Sequence, residues 1–277
     1  MTGLPDLIEE HAAKSGFQLP VFDQLAMELM RIIRGDDASA DLIASKINQD
    51  PGLASEVLRI SNTAYFAGRS PVTTVKDSII RLGLKKIINL VMLSSQQNAY
   101  QNSAPNYAGL MSVMWKHTNV CSFSCEWVAM NCGHRKLAAE AFMAGLLHDV
   151  GKLAMLTVID QLATEGKIPE VLPEDEVLEL VEDDHARFGA ELLQHWHIPQ
   201  IYQDAASYHH SEDYDHENMI LVIVRFINMA YRTIGFGPEA AELDLDLTQL
   251  QEYTILGMTE EKMEDLRDVM LDVVTEY

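Results

Sequence analysis

The amino-acid sequence predicts an all-α protein, on three observations. Apolar residues recur at spacings of three and four along nearly the whole chain, and convincing two-residue alternation is almost absent. Of the 277 residues, 48% are hydrophobic and charge is spread evenly, the composition of a packed globular protein. Prolines and glycines punctuate the periodic segments, as with Pro20 ahead of the first and Gly35 behind it.

In chain order, Leu25, Leu29, Ile32 and Ile33 give the first amphipathic face, and Leu42, Ile43, Lys46 and Ile47 the next. Asp50 and Pro51 read as an N-cap followed by proline at the first helical position. The helix they open carries Leu53, Val57, Leu58 and Ser61. After a loop at 67–71, Thr74 to Asp77 resembles a capping box with Asp in place of Glu. A short helix then reaches Leu82 and Gly83, and Leu84, Ile87, Ile88 and Val91 stripe a further one. The polar stretch 98–106, with Pro105 inside it, is expected to separate subdomains.

Beyond it, helices are expected near 111–130, 138–148, 153–163, 186–196, 201–208 and 217–233. The segment 170–184 holds eight acids and no base, and is expected to be part loop and part acidic helix face. A Gly-Phe-Gly-Pro run at 235–238 breaks the chain. In the acidic tail, Leu247, Leu250, Leu266, Val269, Met270 and Val273 keep a helical period, so two short helices folded back on the body are expected. The organisation is therefore an N-terminal helical subdomain (1–104) packed on a helical bundle (105–234), with a short acidic helical extension (235–277).

The net charge of −22 excludes a general nucleic-acid binder, whose surface must be basic, and disfavours anionic membranes. Residues 1–16 mix Asp6, Glu9, Glu10 and His11 among apolar positions, unlike a secretory signal, and the apolar run at 219–224 stops at Arg225. Cys121, Cys125 and Cys132 are an odd number of closely spaced thiols, which suits a reducing compartment. Cys121 and Cys125 share a helical face and are read as core packing. A cytoplasmic protein is expected.

Chemistry concentrates in the stretch 141–152, an apolar helix ending in His148, Asp149, Gly151 and Lys152. Imidazole and carboxylate side by side can bind one divalent metal. Gly151 gives the backbone freedom to turn away, and Lys152 offers an ammonium to a phosphate. Alone, the pair is better read as a helix C-terminus whose His and Lys satisfy the last carbonyls. The other histidines decide the matter: His117 lies in the 111–130 helix, His185 precedes a helix behind Glu182, Asp183 and Asp184, and His209 and His210 end another. Four chain segments of a helical domain can thus assemble one or two divalent metal sites, with Glu182, Asp183 or Asp184 bonding the imidazoles from behind.

The order His117, His148-Asp149, His185, His209-His210 resembles the HD superfamily of metal-dependent phosphohydrolases. The resemblance makes His117, His148 and Asp149 metal ligands, Lys152 the lysine of its HDxGK variant, and His185, His209 and His210 the added histidines of the HD-GYP branch. Leu19-Pro20, the run 47–53, Leu58 through Ala64, Val72 through Ile79 and Arg81-Leu82-Gly83 are similar to the opening of HDOD domains. Trp196-His197-Ile198-Pro199 and His209-His210 match the later HDOD pattern, so the resemblance spans roughly 15–233. The bundle is then HD-like. Asn228 is the nearest equivalent of the Asp that completes the HD pattern, and 211–215 stand where HD-GYP proteins carry Gly-Tyr-Pro.

Two functions follow from the resemblance. One is a non-catalytic HDOD binding scaffold in bacterial signalling or gene regulation that retains a divalent metal. The other is a metal-dependent phosphohydrolase acting on a nucleotide or phosphate ester, in which Asp149 and Lys152 are catalytic. The metal is iron, manganese, zinc or magnesium, with no organic cofactor. A protein partner or a nucleotide or phosphate ligand is expected, and neither nucleic acid nor membrane.

Overall fold

The computed structural model describes residues 4–14, 23–33, 35, 38–66, 68, 70–168, 171–234 and 245–276, and no strand occurs among them. The expected break at 235–238, together with Leu19, Pro20 and Glu170, lies outside the described residues. The helices are α1 (Leu4–Lys14), α2 (Gln24–Ile32), α3 (Ala40–Ile47), α4 (Pro51–Ser61), α5 (Val75–Leu82) and α6 (Leu84–Asn102). They continue as α7 (Ala108–Asn131), α8 (Ala138–Leu147), α9 (Val150–Thr164), α10 (Glu174–His195), α11 (Gln200–Tyr208) and α12 (Met219–Arg232). The tail adds α13 (Gln251–Ile255) and α14 (Glu260–Glu276). Two compact units result, Pro20–Ala99 and Met1–Leu19 with Tyr100–Tyr277. The polar stretch after residue 98 continues α6 to Asn102, so the division falls within a helix.

In the unit Pro20–Ala99 the expected caps form. The Asp50 carboxylate accepts from the Leu53 amide at 3.0 Å with Pro51 behind it. Thr74 Oγ1 accepts from the Asp77 amide at 3.0 Å and donates to the Asp77 carboxylate at 2.7 Å. The shorter Asp thus meets the Thr hydroxyl, where the longer Glu of a full capping box reaches back to the cap's own amide. Asn62 pairs with the backbone of Val72, giving its Nδ2 to Val72 O at 3.0 Å and accepting from the Val72 amide at 2.9 Å. Leu29, Ile43, Ile47, Val57, Ile60, Ile79 and Ile87 form the core of this unit.

In the larger unit, α7 packs on α8, α9 on α10, α10 on α11, and α12 and α14 on α7. Two of these crossings are set by glycine. A Cβ on Gly145 of α8 would stand 2.7 Å from Cys121 O of α7. A Cβ on Gly151 of α9 would stand 2.0 Å from His185 O of α10. Gly151 therefore serves close backbone approach inside a continuing helix and not a turn: α9 begins at Val150, not near 153.

Other differences have equally local causes. α10 is one helix of 22 residues that runs through the acidic segment, so His185 is mid-helix and precedes nothing. Val177, Val181, His185 and Phe188 are buried in a single stripe, a period that the surrounding acids obscure. Pro173 precedes α10, and Glu174, Asp175 and Glu176 in its first turn suit the helix dipole. Trp196-His197-Ile198 end it in a Schellman turn, with Ile198 N bonding Leu193 O and His197 N bonding Gln194 O, both at 2.9 Å. His197 holds the left-handed position at φ 58°, where glycine is usual.

α1 packs on α9 through buried Ile8 and Ala12, a helix that the sequence reading did not assign. Arg135–Thr164 is long and apolar enough for a membrane span, which that reading passed over, but the whole of its apolar window is buried inside the fold. In the tail, Leu247, Leu266, Met270 and Val273 are buried; α14 packs on α7 and α13 on α12.

Candidate metal centre

Asp149, at the junction of α8 and α9, is the hub of a buried polar cluster. His117 comes from α7, His148 from the end of α8, Lys152 from α9, His185 from α10, and His209 and His210 from the end of α11. His117 Nε2 lies 3.2 Å and His148 Nε2 3.5 Å from Asp149 Oδ2. His185 Nε2 lies 3.4 Å and His209 Nε2 3.2 Å from Oδ1. The imidazoles also meet in pairs, His117 and His148 at 3.1 Å and His185 and His209 at 3.3 Å between Nε2 atoms. Asp149, His148, His185 and His209 are at most 3% exposed, while His210 reaches the surface. All six histidine and aspartate candidates therefore converge.

The protons can be placed from the far side of each ring. His148 Nδ1 is 2.9 Å from Gly145 O, His185 Nδ1 2.9 Å from Val181 O, and His209 Nδ1 2.9 Å from Ala206 O. A carbonyl oxygen only accepts, so each Nδ1 carries the hydrogen and each Nε2 of the neutral ring presents a bare lone pair. Burial pushes His148 well below the ordinary imidazole range and His185 down to about 4, so both rings are neutral. Burial pushes the Asp149 carboxyl up, but its neighbours, the Lys152 ammonium among them, outweigh it and hold the group ionised.

Asp149 Oδ1 makes no hydrogen bond, and its imidazole neighbours from α10 and α11 are acceptors like itself. Acceptors facing one another in a buried site are costly unless a cation lies among them. Neutral imidazole and carboxylate are ordinary ligands of a divalent metal. The cluster can hold such an ion, with Asp149, His185, His209 and His210 as one group of donors and His117, Cys121 and His148 as another.

Two of the acids expected behind the imidazoles, Glu182 and Asp184, are engaged elsewhere. Glu182 Oε1 is 2.6 Å from Lys152 Nζ, and Asp184 meets Arg187 at 3.2 Å. Backbone carbonyls take their place because each His lies on a helix, one turn after the carbonyls that it reaches. Lys152 Nζ also lies 3.3 Å from Asp149 Oδ2, so its ammonium sits between two carboxylates. Asn228 is buried in α12, one turn before Tyr231, whose ring meets His117 edge-on at 4.5 Å between centroids. Cys121, read from the sequence as packing, has its Sγ 3.6 Å from His117 Nε2. The signal that could have found it is its place one turn after His117.

Fold and site together define a helical protein built around a buried His–Asp cluster that could hold a metal. Its sequence matches the HDOD domain over residues 19–212, and the chain belongs to the HDOD family. Among solved structures it resembles an HDOD domain protein of unknown function from Geobacter sulfurreducens (TM-score 0.75, 19% identity, 98% of this chain and 96% of that one). It also resembles a protein from Shewanella amazonensis SB2B whose name proposes a metal-dependent phosphohydrolase (TM-score 0.72, 16% identity, 98% and 96% covered). An uncharacterized protein of Treponema pallidum (strain Nichols) is 24% identical over 225 residues, 77% of this chain. The chain spans only 42% of that relative's length.

Proposed function

We propose that this chain is a regulatory HDOD binding module that holds a divalent metal in its His–Asp cluster and does not turn over a substrate. One observation carries this: Lys152, the residue that would steady a phosphate, is buried with its ammonium between Asp149 and Glu182. A cation so neutralised has little left for a phosphate, and burying it again with a substrate would cost both pairs. Asn228 supports the same reading, since an amide is a poor ligand beside carboxylates. The metal belongs to the iron, manganese, zinc and magnesium group, and the imidazoles favour the transition ions among these. Its partner is a protein or a nucleotide or phosphate ligand met in the cytoplasm, with neither nucleic acid nor membrane involved; the acidic surface supports a basic protein patch.

The second reading, a metal-dependent phosphohydrolase with Asp149 and Lys152 catalytic, is favoured by the intact convergence of His117, His148 and Asp149. It also draws on the name of the Shewanella relative. Elemental analysis of protein purified without chelator, beside a His148→Ala, Asp149→Ala variant, decides between these outcomes. The module reading expects bound metal that the variant loses, and no hydrolysis of bis(p-nitrophenyl) phosphate or nucleotides. Metal-dependent turnover lost in the variant establishes the hydrolase. Absence of metal even after reconstitution overturns both.

A further inference from the structure

We infer that the Cys121 thiolate is itself a metal ligand, which makes one half of the cluster a sulfur-containing site suited to zinc or a similar borderline ion. This rests on the metal-binding reading above and adds the class of metal to it. The support is geometric. Cys121 and His117 lie one turn apart on α7 and face α8, where Gly145 lets the helices meet with no Cβ between them. Cys121 Sγ is 3.6 Å from His117 Nε2 and 3.8 Å from its Nδ1, His117 Nε2 is 3.1 Å from His148 Nε2, and Asp149 Oδ2 lies 3.2 and 3.5 Å from those two Nε2 atoms. All donors of the sulfur group lie within 4.8 Å of one another.

A tetrahedral zinc has ligand bonds of about 2.3 Å to sulfur and about 2.0 Å to nitrogen or oxygen, so its edges are about 3.6 Å for S···N and about 3.3 Å for N···N or N···O. The separations among His117, His148 and Asp149 match such N···N and N···O edges, and Cys121 Sγ stands with His117 and His148 in one group of donors within 4.8 Å. A residue that merely filled the core would not need its sulfur beside two converging imidazoles. Cys125, one turn further along α7 and fully buried, is the natural contrast.

A thiolate corner selects zinc, cobalt(II) or ferrous iron over magnesium and calcium, which take oxygen ligands. Ligation also balances a proton. As the Sγ–metal bond forms, the S–H bond breaks and one proton leaves to solvent for each metal bound. Burial holds the metal-free thiol well above its ordinary range, so this proton is present until the metal arrives.

The test loads metal-free full-length protein with cobalt(II) and records the near-ultraviolet spectrum together with bound cobalt by elemental analysis. The expected result is stoichiometric cobalt with a sulfur-to-cobalt charge-transfer band. That band is lost completely in Cys121→Ala and kept in Cys125→Ala. Cobalt bound without the band in the wild type, which needs no variant to fold, overturns sulfur ligation and leaves the metal site standing. A band that survives Cys121→Ala overturns it likewise. No cobalt bound at all refutes the metal-binding reading and this inference with it.

Discussion

At the scale of single residues, proton placement at Asp149 governs how the metal-free protein responds to acid. His185 titrates near 6.5 when unfolded and is pushed down to about 4 by burial when folded. Between those values the unfolded chain binds the extra proton, so stability must rise with pH through this window and fall as pH drops through it. The loss is on the order of 3 kcal/mol for this ring alone. Urea unfolding of apo-protein at pH 7 and at pH 4.5 checks it, and the expected outcome is a clearly lower midpoint in acid. Most of this centre was legible in the sequence, because His117, His148, Asp149, His185, His209 and His210 bear side chains that chemistry already marks. Cys121 was not, since a buried thiol one turn from a histidine looks the same whether it packs or ligates. The carbonyl partners of the rings were also hidden: backbone atoms leave no letter in a sequence.

At the scale of elements, two helices make opposite predictions about glycine. In α9, Gly151→Ala forces a methyl group against the His185 carbonyl, which is backbone and has nowhere to go. Separating α9 from α10 should cost about 3 kcal/mol and lower metal content as well, since Asp149 and His185 lie on the two sides of that crossing. Chemical denaturation with elemental analysis of the same sample reads both effects. At the end of α10, His197→Gly relieves a left-handed backbone. It should raise stability by about 1 kcal/mol, less the share of the bond from His197 Nδ1 to His195 O at 2.8 Å. A change in melting temperature upward measures it, and a loss would show that the ring is worth more than the strain. Helices with clean caps, such as α4 and α5, were legible because Asp50-Pro51 and Thr74 announce themselves. α10 was not fully so: Glu and Asp fit a helix face and a loop equally well until Val177, Val181 and Phe188 find something to pack against.

At the scale of the whole molecule, every candidate ligand lies in one of the two compact units. Zinc added to apo-protein should slow amide exchange in α7 to α11 and leave α2 to α5 unchanged. Hydrogen-exchange mass spectrometry resolves the two, and equal slowing in both would show that the metal's influence reaches across the chain. The family itself was legible at this scale from motifs strung along roughly residues 15–233, and the HDOD match covers 19–212, whereas the seating of α1 and α14 depends on which surfaces α9 and α7 leave to be covered. The burial of Asp149 has a further consequence, in time and not in energy. With His148, Asp149, His185 and His209 sealed and His210 at the surface, a competing chelator meets only that one donor, and helices must part before it can reach the others. Removal by a chelator should therefore proceed at a rate that stops rising as chelator is added: the protein's own breathing keeps the clock.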